Sequence, residues 1–394
     1  MNHNDALAAE RTRLQHVSRH LAGAGPIHPA TELEATAAWL RQNGDISSGQ
    51  DFVAGVQPDV YGKGALVEDF EDEVAALFGM PAARFMPSGC MAQPIALRIW
   101  SERADNSNIA LHQTSHLELH EEFSYRELHG LKAHFIGDAD RPTNAADLHQ
   151  LLGSGGTAHE SGLASLLVEL PAREIGGQLP TWDELVELSQ LCRTRSIRLH
   201  LDGARVWPAA PAYGRSLSEI AGLFDSIYIS FYKDVGALPG AMLLGPRDFI
   251  DEAAIWQRRQ GGTLFSAVAN VVSARLNLPG CLERMPLLVH RAREIAALFS
   301  RQKRAKVIPD PPQTNMFHLR LKGEVDELLD ARDRVARETG IWLFSKLKPI
   351  DEQQVQIEMS MGPSSLALAD DEVVTAIELL LQEQPKTATN PCSG

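Results

Sequence analysis

The chain has 394 residues, with 37 basic against 51 acidic residues, a formal net charge of −14, and 44% hydrophobic residues. That acidity, without any Lys/Arg-rich run, excludes a nucleic-acid partner, and no apolar run nears the ~20 residues of a membrane span. Cys90, Cys192, Cys281 and Cys392 show neither metal spacing nor disulfide density, which points to a reducing cytoplasm.

The length allows one large domain and one smaller one. Residues 1–45 read as a helical arm, broken near Pro26 and Pro29, that packs on a neighbour. MNHNDALAAERTRLQ has no basic region followed by an apolar one, so no secretory signal is expected. From Gln57 to Met80 a loop leads into an amphipathic helix, with Leu66, Phe70, Val74 and Leu77 on one face and acids on the other. A short strand, Ala83 to Met86, then meets Pro87-Ser88-Gly89-Cys90, and a helix starts near Met91. Strand, tight turn and helix N-terminus make an anion site, because free backbone N–H groups and the helix dipole point at it.

His112, His116 and His120 follow at a spacing of four, with Glu121 adjacent. On one helix they would share a face. A metal site, a solvated face and a single histidine stacked on a planar ring are the competing readings, and metal is the weakest, since no acid stands in a recognised ligand spacing. Leu163 to Leu170 reads as a buried strand, and Thr181 with Glu184 as a capping box opening a helix. An apolar run, Ile197 to Leu201, ends in Asp202, and Ser226 to Tyr232 ends in Lys233. A third run, Ala241 to Leu244, follows a Gly- and Pro-containing turn. This alternation predicts a mainly parallel sheet covered by helices, with ligands beyond the carboxyl ends of its strands. An Arg-rich helix then leads to an α+β lobe. The expected organisation is a 1–45 arm, a 46–280 large domain, a 281–384 small domain and a 385–394 disordered tail.

A lysine and an acid delivered to one sheet rim suggest pyridoxal 5'-phosphate, which needs a lysine for its imine and a carboxylate for its ring nitrogen. The cofactor also needs a phosphate cradle, and its substrate needs a cation for its carboxylate, best supplied by arginine. Lys233, Asp202, the Ser88 to Met91 turn and Arg205 supply one candidate each. Taken singly these residues are ordinary turn and surface residues; their order along the chain carries the reading.

With PDVYGKGALVEDFEDEVAALFGMPAARFMPSGCMAQ, SHLELHE, LHLDGAR and SFYKDVGALPGAMLLG, the sequence resembles the threonine aldolase and β-eliminating lyase family of fold type I PLP-dependent enzymes. The resemblance runs from about Pro58 to Gly245 and more weakly to about residue 380. It implies an α/β fold with a large, mainly parallel sheet domain and a smaller α+β C-terminal domain. By it, Lys233 is the Schiff-base lysine, Asp202 the ring-nitrogen partner and His116 the stacking group. Ser88, Gly89, Cys90 and Met91 hold the phosphate. Ser230 and Arg205 also contact the cofactor, and Arg205 reaches the substrate. Tyr61 falls in a segment near the subunit interface and active site, and a homodimer or homotetramer is implied.

Departures cluster on substrate recognition. Where relatives carry an early Asp-Leu-Arg-Ser-Asp-Thr segment, this chain reads DISSGQDF, so Ser48 or Ser47 stands in for the serine. The histidine expected before Gly176-Gly177 is missing, and Arg173 lies there instead. A late arginine has no counterpart around VQIEMSMG, and the threonine of the phosphate turn is Cys90. The expected reaction is cleavage of the Cα–Cβ bond of a β-hydroxy-α-amino acid to glycine and an aldehyde. The rivals are another PLP reaction (β-elimination, racemisation or transamination) and a cofactor-free α/β binding protein.

Overall fold

The computed structural model describes residues 3–23, 29–43, 59–153 and 162–382. Thirteen strands follow in chain order. They are β1 (Arg19–His20), β2 (Ala82–Met86), β3 (Asn108–His112), β4 (Lys132–Ile136), β5 (Ser165–Glu169), β6 (Arg198–Gly203) and β7 (Ser226–Ser230), then β8 (Ala241–Gly245), β9 (Ala305–Ile308), β10 (Met316–Lys322), β11 (Ile341–Trp342), β12 (Lys348–Asp351) and β13 (Gln354–Ser360). Seven of them form one sheet in the order β2-β8-β7-β6-β5-β3-β4. Pairings from β7 through β4 are parallel, whereas β8 is antiparallel to both its neighbours. The tight Gly- and Pro-containing turn before β8 leaves no room for a crossover helix, so this strand reverses.

Both faces of the sheet are buried, which is why its strands read as continuous apolar runs rather than alternating ones. In β7, Ile227 and Ile229 enter the main core, while Tyr228 points into a second cluster with Ile95, Trp100 and Phe249. The helix Ala65–Phe78 lays Val67, Phe70, Val74 and Phe78 on the sheet. Leu66 and Leu77, expected on that face, pack only at its margin. One acid expected in solvent, Glu71, is instead buried, and it accepts the Phe85 N–H at 2.7 Å. The helix Trp182–Thr194 opens with the Thr181–Glu184 capping box, both hydrogen bonds present.

A four-stranded antiparallel sheet, β12-β13-β10-β9, with the helices Val325–Thr339 and Asp370–Leu381 makes the smaller α+β unit. The 280/281 division falls inside the continuous helix Val268–Ser300. The N-terminal helix His3–Val17 packs within its own chain. Leu14 meets Ala336 and Trp342, Arg11 donates to Asp333 at 2.6 Å, and β1 pairs in parallel with β11. The 385–394 segment and Ser48 lie outside the described residues. Among the described residues, no helix is long and apolar enough to cross a membrane.

Candidate active site

The carboxyl ends of the parallel strands carry the chemistry. β5 ends in Glu169, β6 delivers Asp202, β3 is followed by His116 and β7 by Lys233. Glu169 and Asp202 are register partners on adjacent strands, so their side chains leave the same face about one strand spacing apart, roughly 5 Å. Burial raises the pKa of both carboxyls. For Glu169 the neighbouring Asp202 charge adds to it, reaching about 8 against the backbone N–H of His116 that it accepts. For Asp202, the Lys233 ammonium and an N–H from Ala204 at 3.0 Å pull the other way. Lys233 shows the converse: burial lowers its pKa, opposed by Asp202 and reinforced by Arg205.

Lys233, Asp202, His116, Arg205, Arg173 and Glu169 line one small cavity. It adjoins a cleft of about 630 Å³ that reaches the smaller unit. A larger cavity of about 790 Å³, beside Trp100, Arg103 and Arg195, contains none of these groups. His116 holds its Nδ1 3.0 Å from Glu121 Oε1, which leaves Nε2 as the ring nitrogen that Glu121 does not engage. The Glu121 side chain is 1% exposed. His112, by contrast, belongs to β3, and the helical turn His116–Leu119 is four residues long. The three histidines therefore share no helix face.

The Ser88 turn takes the expected form. Ser88 caps the helix Gly89–Ala104 with extended backbone. A Cβ on Gly89 would lie 2.0 Å from Tyr228 Oη, so the turn presses against the sheet in a way only glycine permits. Cys90 is close enough for its thiol to feel Glu121 and Lys233, although burial is the main cause of its raised pKa. Met91 packs on Gly262, where a Cβ would meet its sulfur at 2.2 Å. Ser230 ends β7, fully buried, with its side chain in hydrogen-bond reach of the Tyr232 hydroxyl. Tyr61 is the exception. It sits at φ 54° in the Val60–Lys63 turn, half exposed, against Phe265 at 5.4 Å between ring centroids, and outside the Lys233 cavity.

Three participants went unread in the sequence. Glu169 ends β5, one residue short of the end of the run LASLLVEL. Asp234 follows Lys233 and lies 3.5 Å from Arg205 Nη1. Glu358 comes from β13, and its two oxygens take Arg173 Nε at 2.7 Å and Arg205 Nη2 at 3.8 Å. Its alternating strand carries no motif that separates it from a surface acid. Among the described residues, no group of three or more His, Cys, Asp or Glu is arranged to hold a metal ion.

Comparison with known proteins agrees with this layout. The β-eliminating lyase family model matches residues 22–322. A solved chain from Exiguobacterium sp. 255-15, assigned as an aromatic amino acid β-eliminating lyase/threonine aldolase, is 36% identical with a TM-score of 0.84, covering 94% of this chain and 98% of that one. One from Listeria monocytogenes, assigned as an L-allo-threonine aldolase, is 35% identical with a TM-score of 0.85, covering 95% and 99%. The low specificity L-threonine aldolase of Escherichia coli K12 is 32% identical over 209 residues, 53% of this chain and 61% of that protein. The chain spans about half to two thirds of the length of the curated relatives it matches first. The sheet order, the strand-end acids and lysine, and these matches together make the chain a member of the β-eliminating lyase family, with the fold type I architecture.

Proposed function

We propose that the protein is a pyridoxal 5'-phosphate-dependent aldolase that cleaves the Cα–Cβ bond of a β-hydroxy-α-amino acid to glycine and an aldehyde. The observation that carries this is the convergence of Lys233, Asp202, His116, Arg173 and Arg205 on one cavity, in a chain similar to threonine aldolases. The residues fit the cofactor. Arg205 Nε and Asp234 Oδ2 are buried polar atoms without partners among the described residues. Such atoms await a ligand or cost stability. The Gly89 turn offers backbone N–H groups to a phosphate, with Ser88, Cys90 and Met91 around it.

Bound there, the cofactor supplies an electron sink for the charge left on Cα. The chain's own groups do the rest. Burial favours the neutral amine of Lys233, the form that reacts with a carbonyl. Asp202 would face the ring nitrogen, and His116 the ring. With Glu121 engaging Nδ1, His116 Nε2 would be the nitrogen that takes the proton of the substrate's β-hydroxyl. Arg205 and Arg173 would orient the substrate carboxylate. We also infer a homodimer or homotetramer, supported by the exposed apolar surface of Tyr61, Leu264 and Phe265. A cytoplasmic setting fits the free thiols Cys90, Cys192 and Cys281.

Two measurements test the assignment. Lys233→Ala should abolish both borohydride-trappable cofactor and activity; a variant that keeps both ends it. Product analysis with L-threonine, L-allo-threonine, phenylserine and L-serine should show glycine. Its absence from every β-hydroxy substrate favours β-elimination, racemisation or transamination instead, the reading to which Arg173, in place of the expected histidine, leans.

A further inference from the structure

The cleft wall facing Lys233 holds two guanidinium groups, Arg173 and Arg205, and three carboxylates. Arg173 takes Glu174 at 2.9 Å and Glu358 at 2.7 Å, while Arg205 takes Asp234 at 3.5 Å and Glu358 at 3.8 Å. An arriving amino acid therefore meets both guanidinium groups already carrying carboxylates, with the buried Arg205 Nε left without a partner among the described residues. Its carboxylate must displace one that is already there.

The three acids differ in how firmly they are held. Asp234 is 4% exposed at its side chain and accepts from Asn315 Nδ2 at 3.2 Å. Glu174 also pairs with His120 Nε2 at 2.9 Å. The carboxylate of Glu358 has no partner among the described residues besides the two arginines, and its side chain is 29% exposed to the cleft. It spans them with one oxygen each, which is how a substrate carboxylate would be gripped between two guanidinium groups.

We infer that Glu358 is an affinity-setting placeholder: it occupies the substrate carboxylate's position between Arg173 and Arg205 and swings into the cleft when the amino acid binds. This rests on the assignment of an amino-acid substrate. It goes beyond it by giving a function to the segment where a late arginine was expected. Here the strand supplies an acid, and the arginines come from the loops after β5 and β6. Tethering gives this internal carboxylate an effective concentration that any substrate must overcome, so weakly held carboxylates are rejected.

The test is Glu358→Gln, an isosteric change that removes the charge. Binding of propionate and hydroxyacetate, which lack an amino group, is measured by calorimetry on the wild type and the variant. Alongside, KM and kcat are taken for the best β-hydroxy amino acid. The expected result is three- to tenfold tighter binding of both acids and a KM lowered to match. Glu358→Ala should move in the same direction and guards against an effect peculiar to glutamine. Unchanged or weaker carboxylate binding in both variants overturns the inference, because Glu358 would then serve only to orient the arginines. Tighter propionate binding in a protein that releases no glycine from any substrate leaves the placeholder standing and removes the aldolase assignment.

Discussion

Replacing Gly89 with alanine isolates the phosphate turn from the rest of the site. By helix propensity alone the change stabilises, since alanine at the start of the helix Gly89–Ala104 gains roughly 0.5–1 kcal/mol over glycine. The structure reverses that sign. The new Cβ would lie 2.0 Å from Tyr228 Oη and 2.2 Å from Cζ, on a ring packed with Trp100 and Phe249. Neither group can retreat cheaply, so the turn must move outward by more than an ångström. Overpacking of this kind costs about 1–3 kcal/mol, which leaves the variant less stable by up to about 2.5 kcal/mol. The displacement matters more for the ligand. Each backbone N–H lost to a charged phosphate is worth roughly 1.5–3 kcal/mol, or about ten- to hundredfold in affinity. Fluorescence titration of the apoprotein with cofactor measures that loss, and urea unfolding measures the stability. Tyr228→Phe should not rescue the variant, because the ring carbon is nearly as close as the hydroxyl. Wild-type cofactor affinity in Gly89→Ala would refute the assignment of this turn as the cradle, and raised stability would refute the clash.

Two further outcomes concern the scaffold. Burial raises Glu71 to about 7, so the folded state holds this proton more tightly than the unfolded chain, and stability falls as pH rises from about 4.5 to 7. At about 1.4 kcal/mol per unit the loss is roughly 3 kcal/mol. Glu71→Gln, which can still accept the Phe85 N–H, should flatten that decline in urea unfolding at pH 5 and pH 8; an unchanged difference between the two pH values rules Glu71 out as its source. Asp333, 1% exposed at its side chain, accepts from Arg332 at 2.6 Å and from Arg11 at 2.6 Å, while Arg332 lies 3.9 Å over the Trp342 ring. Asp333→Ala strands a buried guanidinium and should cost about 3–5 kcal/mol in denaturant unfolding; a loss under about 1 kcal/mol means that Arg332 finds its partner elsewhere.

The cofactor half of the site was legible because it is local. Asp202 and Lys233 each follow a short apolar run, and Ser88 to Met91 lie between a strand and a helix. Strand ends of a parallel sheet converge on one rim whatever lies between them. The substrate half was not legible, because it is assembled across the chain. Glu358 meets Arg173 over an interval no periodicity marks, and its strand alternates like any half-buried strand of an antiparallel sheet. Glu169 was missed for a different reason: the apolar run reads on to Leu170, which places the acid inside the strand rather than at its end. The histidine spacing carries no helix face, because a period of four has meaning only within a continuous helix, and β3 takes His112. The antiparallel turn of β8 was equally hidden, since apolar runs do not reveal direction.

The N-terminal segment, anchored by Arg11 to Asp333 and by Arg19 to Glu372, has a temporal side. These pairs are separated by 322 and 353 residues in sequence. At the ribosome, where synthesis proceeds at about 5–20 residues per second, the segment waits roughly 15–70 s for its partners to emerge. During that interval Leu14 and Leu21, both buried in the finished fold, have nothing of their own to cover them. The N-terminal helix thus docks only after the segments carrying Asp333 and Glu372 have emerged, and until then a nascent chain presents its apolar face to whatever else can bind it.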